Sequence, residues 1–220
     1  MRPAAVHNQV MIKGLLLQGV QSTVRELTNE FDEIPPARRK ILSDLTDFIT
    51  RTVSVGNPVY LNFICTHNSR RSHLSQLWAQ TAAHYYGIAN VFCFSGGTEA
   101  TAFNPRAVKA MRDAGFSIVL SKGGDNPTYD VKFSDTAPTV TAFSKRYDDP
   151  FNQSPGFAAV MTCSHADEHC PIVLGATERI ALTYADPKDF DGTELEGVKY
   201  GERVREIGRE ILFAFSRVGG

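Results

Sequence analysis

Residues 65–72 read CTHNSRRS and follow the apolar run PVYLNFI at 58–64. A run of that kind, rich in β-branched and aromatic residues and closed by small polar ones, reads as a buried strand leaving the core. Serine 72 then opens a helical pattern over 72–86. A strand that feeds a helix through a short polar loop is where an α/β fold binds anions. The backbone N–H groups converge at the helix N-terminus, where the dipole favours negative charge. Cys65 at the mouth of the loop is placed as a thiolate nucleophile. Arg71, six residues on, brings a planar fork that fits a tetrahedral oxyanion. Ser72 can donate to the thiolate, and Asn68 tolerates the left-handed backbone of a tight cradle. The spacing Cys65-x5-Arg71-Ser72 thus points to attack on a phosphate-like centre, with Thr66, His67, Asn68, Ser69, Arg70, Arg71 and Ser72 forming the oxyanion-binding loop.

Outward from this loop, strand and helix patterns alternate. Residues 91–95 read as strand, 104–114 as helix, 116–120 as strand, 157–163 and 179–184 as strands, and 196–217 as a long closing helix. Such alternation implies a mostly parallel sheet with helices on both faces. Four prolines at 127, 138, 150 and 155 punctuate residues 122–156, where YDVKF and TVTAF suggest a hairpin or ordered insertion. Residues 14–52 carry helical spacing with a proline pair at 35–36, and Gly56-Asn57-Pro58 breaks the pattern. The expected organisation is an N-terminal helical extension over 1–57 and an α/β domain over 58–220. The greasy patch VMIKGLLLQGV reads as the start of an amphipathic helix rather than a signal peptide.

The 220 residues, 42% hydrophobic and 21% charged, suffice for one sizeable core. A formal net charge of −1 leaves no electrostatic footprint for nucleic acid or an anionic membrane, and neither is expected as a partner. No apolar run approaches the roughly 20 residues of a membrane span. Four cysteines, at 65, 93, 163 and 170, are too few for a disulfide scaffold, so catalytic or buried thiols in a cytoplasmic protein are expected. Cys93, inside VFCF, reads as a buried strand residue.

A cysteine nucleophile needs a proton donor for the leaving oxygen. Asp186-Pro187 and Asp149-Pro150 both offer a carboxyl fixed by proline. Position after the penultimate strand favours Asp186. Cys163 and Cys170 lie about two helical turns apart, ~10 Å if the segment is helical, too far for a disulfide without rearrangement. Together with His165 and His169 they also form a candidate zinc set, but four ligands within eight residues close one tetrahedral centre poorly, and no metal is expected.

The loop CTHNSRRS resembles the CTGNSCRS loop of thioredoxin-coupled arsenate reductases, which share their fold with low-molecular-weight protein tyrosine phosphatases. SGGTEATAFNPRAVKAM at 95–111 and CSHADEHCP at 163–171 resemble further segments of that family. The likeness extends over about residues 58–217. It implies reduction of arsenate by Cys65, resolution of the adduct by Cys163, and transfer of the disulfide outward by Cys170 to thioredoxin or a small thiol. It implies no cofactor. The alternative it carries is hydrolysis of phosphotyrosine through a cysteinyl-phosphate. The chain departs from the family pattern at His67, where glycine is usual, and at Arg70, where cysteine is common. Gln76 replaces a glutamate that helps some members hold potassium, so no ion site is expected.

Overall fold

The computed structural model describes residues 15–152, 156–169 and 172–219. Two helices, α1 (Gln18–Asn29) and α2 (Pro36–Ser54), precede strand β1 (Val59–Cys65). There follow α3 (Arg71–Tyr85), β2 (Val91–Gly97), α4 (Pro105–Asp113), β3 (Ser117–Lys122), β4 (Thr128–Lys132) and β5 (Val140–Ala142). The chain closes with β6 (Phe157–Met161), α5 (Ser164–His169), β7 (Ala176–Ala181) and α6 (Glu196–Ser216). The expected short strand at 116–120 is thus present, but it joins an antiparallel sheet, β3-β4-β5, rather than the main one. The region between 122 and 156 supplies the other two strands of that sheet, in keeping with the expected hairpin.

The main sheet is wholly parallel, in the order β2-β1-β6-β7. Its central strand β1 is buried on both sides along nearly its whole length, as the continuous apolar run requires. Val59, Leu61, Phe63, Ala158 and Val160 point into one large cluster, while Ile64, Cys65, Ala159 and Met161 point into a smaller one. The sheet is therefore covered on both faces, but unequally. The thick layer holds α3, α6 and the N-terminal helices. The thin layer holds α5 and loop residues such as Tyr147 and Val173.

Helix α3 runs between the sheet and α6 and is buried almost all round, which explains its lack of a polar face. Trp78 packs edge-on against Phe116, 5.1 Å between centroids. Tyr85 and Tyr86 are buried, as their place on a packing face predicts. The helices before β1 contribute Val20, Val24, Leu27, Leu42, Leu45 and Ile49 to the same large cluster. The greasy N-terminal patch lies partly outside the described residues; its described end leads into α1. Among the described residues no helix is long and apolar enough to cross a membrane.

This strand order sets the site. From β1 the chain steps to β2 on one side, then returns across β1 to β6 on the other. The loops after β1 and β6 diverge, and the crevice they leave at the strands' carboxyl ends is where open α/β sheets bind ligands. Cys65 ends β1. Cys163 follows β6, whose Met161 is paired with Ile64.

Candidate functional site

The loop after β1 is held from outside by its carbonyls. Those of Cys65 and Thr66 accept from Thr98 N–H (3.1 Å) and Glu99 N–H (2.8 Å). That of His67 accepts from the hydroxyls of Thr101 and Ser144, and that of Ser69 from Asn104 N–H. Because each trans peptide unit points its N–H opposite its C=O, these outward bonds turn the amides of the same planes to the other side. Asn68 carries the turn at φ 44°. His67 has no positive φ, so the histidine that replaces the family's glycine costs no backbone strain. Its half-exposed ring lies 3.6 Å from the Glu99 carboxylate at the rim.

Behind the loop a chain of hydrogen bonds ends on the Cys65 thiol. Lys145 N–H donates to Asn68 Oδ1 (2.9 Å), which fixes the orientation of the amide. Asn68 Nδ2 donates to Ser72 Oγ (2.8 Å) and approaches His73 Nδ1 (3.3 Å). Ser72 Oγ, having accepted there, is left to donate its own proton to Cys65 Sγ at 3.1 Å. Burial, reinforced by Lys145, pushes the His73 pKa well below its usual value. A neutral His73, stacked on Phe103 at 4.1 Å, can accept from Asn68.

Lys145 itself is enclosed, with its ammonium over the rings of Phe143 and Phe151 and donating to Phe143 O. Burial lowers its pKa to about 8, partly offset by Asp149. Between that value and the ordinary lysine pKa the unfolded chain binds the extra proton, so this group makes stability rise with pH over that interval. Urea unfolding of wild type and Lys145→Met at pH 7 and pH 10 measures this directly. The wild type should gain stability relative to the variant at the higher pH.

Arg71 opens α3. Its Nη2 donates to Asp186 Oδ2 at 2.6 Å and its Nη1 to Tyr184 O at 2.9 Å, while its buried Nε has no partner among the described residues. Asp186 caps a short 3-10 turn, Pro187–Phe190, by accepting from Lys188 N–H. The competing Asp149 instead caps the turn at Pro150–Asn152 through Phe151 N–H. Spacing along the chain thus singled out the aspartate that meets the loop arginine.

Arg70 points elsewhere. Its Nε donates to Tyr200 OH on α6 (2.7 Å) and its Nη2 to Asp191 Oδ2 (3.3 Å). The N–H of Arg70 belongs to the loop, while its side chain is held by Tyr200 and Asp191 and lies 4.0 Å from Asp186 Oδ1.

Cys163 lies beside the loop. Its Sγ is 3.5 Å from Thr66 Oγ1 and accepts from Ala166 N–H at 3.4 Å in the first turn of α5. Thr66 Oγ1 also meets His165 Nδ1 at 3.2 Å, and His165 stacks on His169. Residues 164–169 form a helix, α5, directly after Cys163. Cys170 lies outside the described residues. Cys93 is buried in β2, and burial alone pushes its thiol pKa far up, which makes it inert.

Sequence reading missed three contributors. Gly97 pairs with Cys65 across β1 and β2, and any Cβ there would sit 2.6 Å from Thr66 O and 2.7 Å from Asn68 N. The signal was the Gly-Gly pair ending β2. Asp191 and Tyr200 carried no local signal, since their partner Arg70 lies more than a hundred residues away.

An arsenate reductase from Bacillus licheniformis is 33% identical over 150 residues, covering 68% of this chain and 89% of the relative. Those of Halalkalibacterium halodurans and Bacillus subtilis are each 31% identical, covering 94% and 89% of their own lengths and 70% and 68% of this chain. No protein-family model matches. Solved structures overlap more loosely. A low-molecular-weight phosphotyrosine phosphatase from Vibrio cholerae gives a TM-score of 0.48 at 13% identity, over 72% of this chain and 94% of that one. The Corynebacterium glutamicum thioredoxin-dependent arsenate reductase gives 0.39 at 18% identity, over 90% and 96%. The curated relatives are matched over nearly their whole lengths, and by that likeness the chain belongs to the arsenate reductase family.

Proposed function

We propose that this protein reduces arsenate to arsenite with its own thiols, and that thioredoxin or a small thiol restores them. The observation that carries this reading is a second buried thiol, Cys163, set beside the nucleophile's loop through Thr66 Oγ1. Hydrolysis needs no such group.

In the first step Cys65 attacks the arsenic of arsenate, and Asp186 gives a proton to the departing oxygen, which leaves as water. The loop amides and Arg71 hold the remaining oxygens, and the unpartnered Nε of Arg71 is a donor ready for one of them. Cys163 then attacks the sulfur of Cys65. The S–As bond breaks with its electron pair going to arsenic, so As(V) becomes As(III) and leaves as arsenite while a Cys65–Cys163 disulfide forms. Cys170 attacks Cys163, releasing Cys65 as a thiolate, and the new Cys163–Cys170 disulfide takes two electrons from an external dithiol. The Arg71–Asp186 pair describes the resting site. An arriving oxyanion competes for the fork and frees the carboxyl for proton transfer.

Arsenate-dependent NADPH oxidation, with thioredoxin and its reductase and separately with a small-thiol system, tests the reading. Wild type should turn over, while Cys65→Ser, Cys163→Ser and Cys170→Ser should each stop multiple turnover. Phosphotyrosine hydrolysis that persists in Cys163→Ser, with no arsenate reduction by wild type, would replace the proposal with the phosphatase alternative.

A further inference from the structure

We propose that Arg70 is a positioning residue that locks the segment bearing Asp186 against the anion loop. The inference rests on the reading of Asp186 as proton donor. The two consecutive arginines diverge, and each takes one of two aspartates five residues apart. Arg71 holds Asp186, at the start of the Pro187–Phe190 turn, and Arg70 holds Asp191, directly after it.

The second hold is a closed ring. Arg70 Nε donates to Tyr200 OH, Tyr200 OH donates to Asp191 Oδ1 at 2.8 Å, and Arg70 Nη2 reaches Asp191 Oδ2. Burial raises the Tyr200 pKa to about 12, so the phenol keeps the proton it donates. From the far side Arg106 comes within 3.8 Å of Asp191 and pairs with Glu196 at 2.6 Å, while Gly192 N–H donates to that same glutamate. The Arg70 side chain is only 11% exposed, and its Nε lies 4.0 Å from Asp186 Oδ1.

The division of labour matters during turnover. When an oxyanion engages Arg71, Asp186 loses its strongest partner at the moment it must stay near the departing oxygen. The Arg70–Asp191–Tyr200 ring is not contested by substrate and keeps the turn in place. A drift of about 1 Å in such a group costs on the order of 100-fold in rate.

The test compares wild type with Arg70→Met, Arg70→Lys, Asp191→Asn and the Arg70→Met/Asp191→Asn pair. Two readouts are followed: single-turnover loss of free thiols with arsenate, without reductant, and hydrogen exchange of the amides at 188–192. Arg70→Met should slow the single turnover roughly 10- to 100-fold with arsenate KM within about 3-fold of wild type, and should speed exchange at 188–192. Arg70→Lys should recover part of the rate, and the pair should be no slower than Arg70→Met alone. A raised KM with unchanged rate would make Arg70 an oxyanion ligand and overturn the proposal. Unchanged exchange at 188–192 would overturn it even if the protein shows no arsenate chemistry. Inactive wild type with exchange that does respond to Arg70→Met would sink the arsenate reading and leave the lock intact.

Discussion

Gly97→Ala should nearly abolish turnover while leaving a folded protein. The alanine Cβ would stand 2.2 Å from Glu99 O, 2.6 Å from Thr66 O and 2.7 Å from Asn68 N, all of them backbone atoms with no flexible end to swing away. Two of the three belong to the anion loop, and Glu99 is one of the residues that hold it. Gly97 is also fixed in place, since its N–H donates to Lys145 O and its C=O accepts from Tyr147 N–H. The strain must therefore move the loop. A kcat/KM loss of at least about 100-fold follows from a displacement near 1 Å, with a stability cost of about 1–3 kcal/mol for overpacking. Gly96→Ala separates the two effects. Its Cβ would strike Tyr147 Cα at 2.3 Å on the other face, so it should cost stability with a smaller loss of rate. Gly123→Ala, with open space around it, should change neither. Steady-state kinetics and thermal melts of the three variants decide the matter, and a wild-type rate in Gly97→Ala would show that the loop can yield.

Arg38→Ala should be the most destabilising single change among the charged residues of α2. Arg38 Nε reaches both oxygens of Glu210 at 2.8 and 2.9 Å, and the guanidinium lies 4.7 Å above the Tyr184 ring. Glu210 is 3% exposed on α6. Removing the arginine leaves a buried carboxylate without its main partner, a loss of about 3–5 kcal/mol in comparable pairs. The lower end applies because Arg203 faces the same carboxylate. For a chain of this size that is a Tm drop of about 6–12 °C. The double variant Arg38→Met/Glu210→Leu should recover most of it, since the desolvation of both charges is relieved together. Calorimetry of the single and double variants checks both statements. The same pair bears on the site, because Tyr184 is the residue whose carbonyl accepts from Arg71.

Cys65, Arg71 and Asp186 were legible as candidates because each sits where a local pattern changes. Cys65 closes an apolar run, Arg71 opens a helix, and Asp186 precedes a proline. The helix after Cys163 was not expected from the sequence, which carried it only as a condition on the distance between the two thiols. The strand expected at 179–184 instead spans Ala176–Ala181. Its first four residues, Ala-Thr-Glu-Arg, look too polar for a strand, yet they lie on a sheet edge where Arg51 pairs with Glu178 and Arg179 with Asp167. Side-chain exposure there hides the strand from a hydrophobicity reading. The antiparallel sheet was only half legible, because β3 alternates too weakly to reveal which sheet it joins. Arg70 was legible as a departure from the family but not in its role, since its partners Asp191 and Tyr200 meet it only after the whole chain has folded.

That dependence on α6 has a consequence for synthesis. The helix packs on α1, α2, α3 and α4, and it carries both Tyr200 and Glu210. Residues 65 and 200 emerge from a ribosome roughly 7 to 27 seconds apart at ordinary elongation rates. Throughout that interval the Cys65 loop exists without the helix that roofs α3, and without the partners that hold Arg70. The emerging protein therefore offers an unguarded thiol before it offers a completed site.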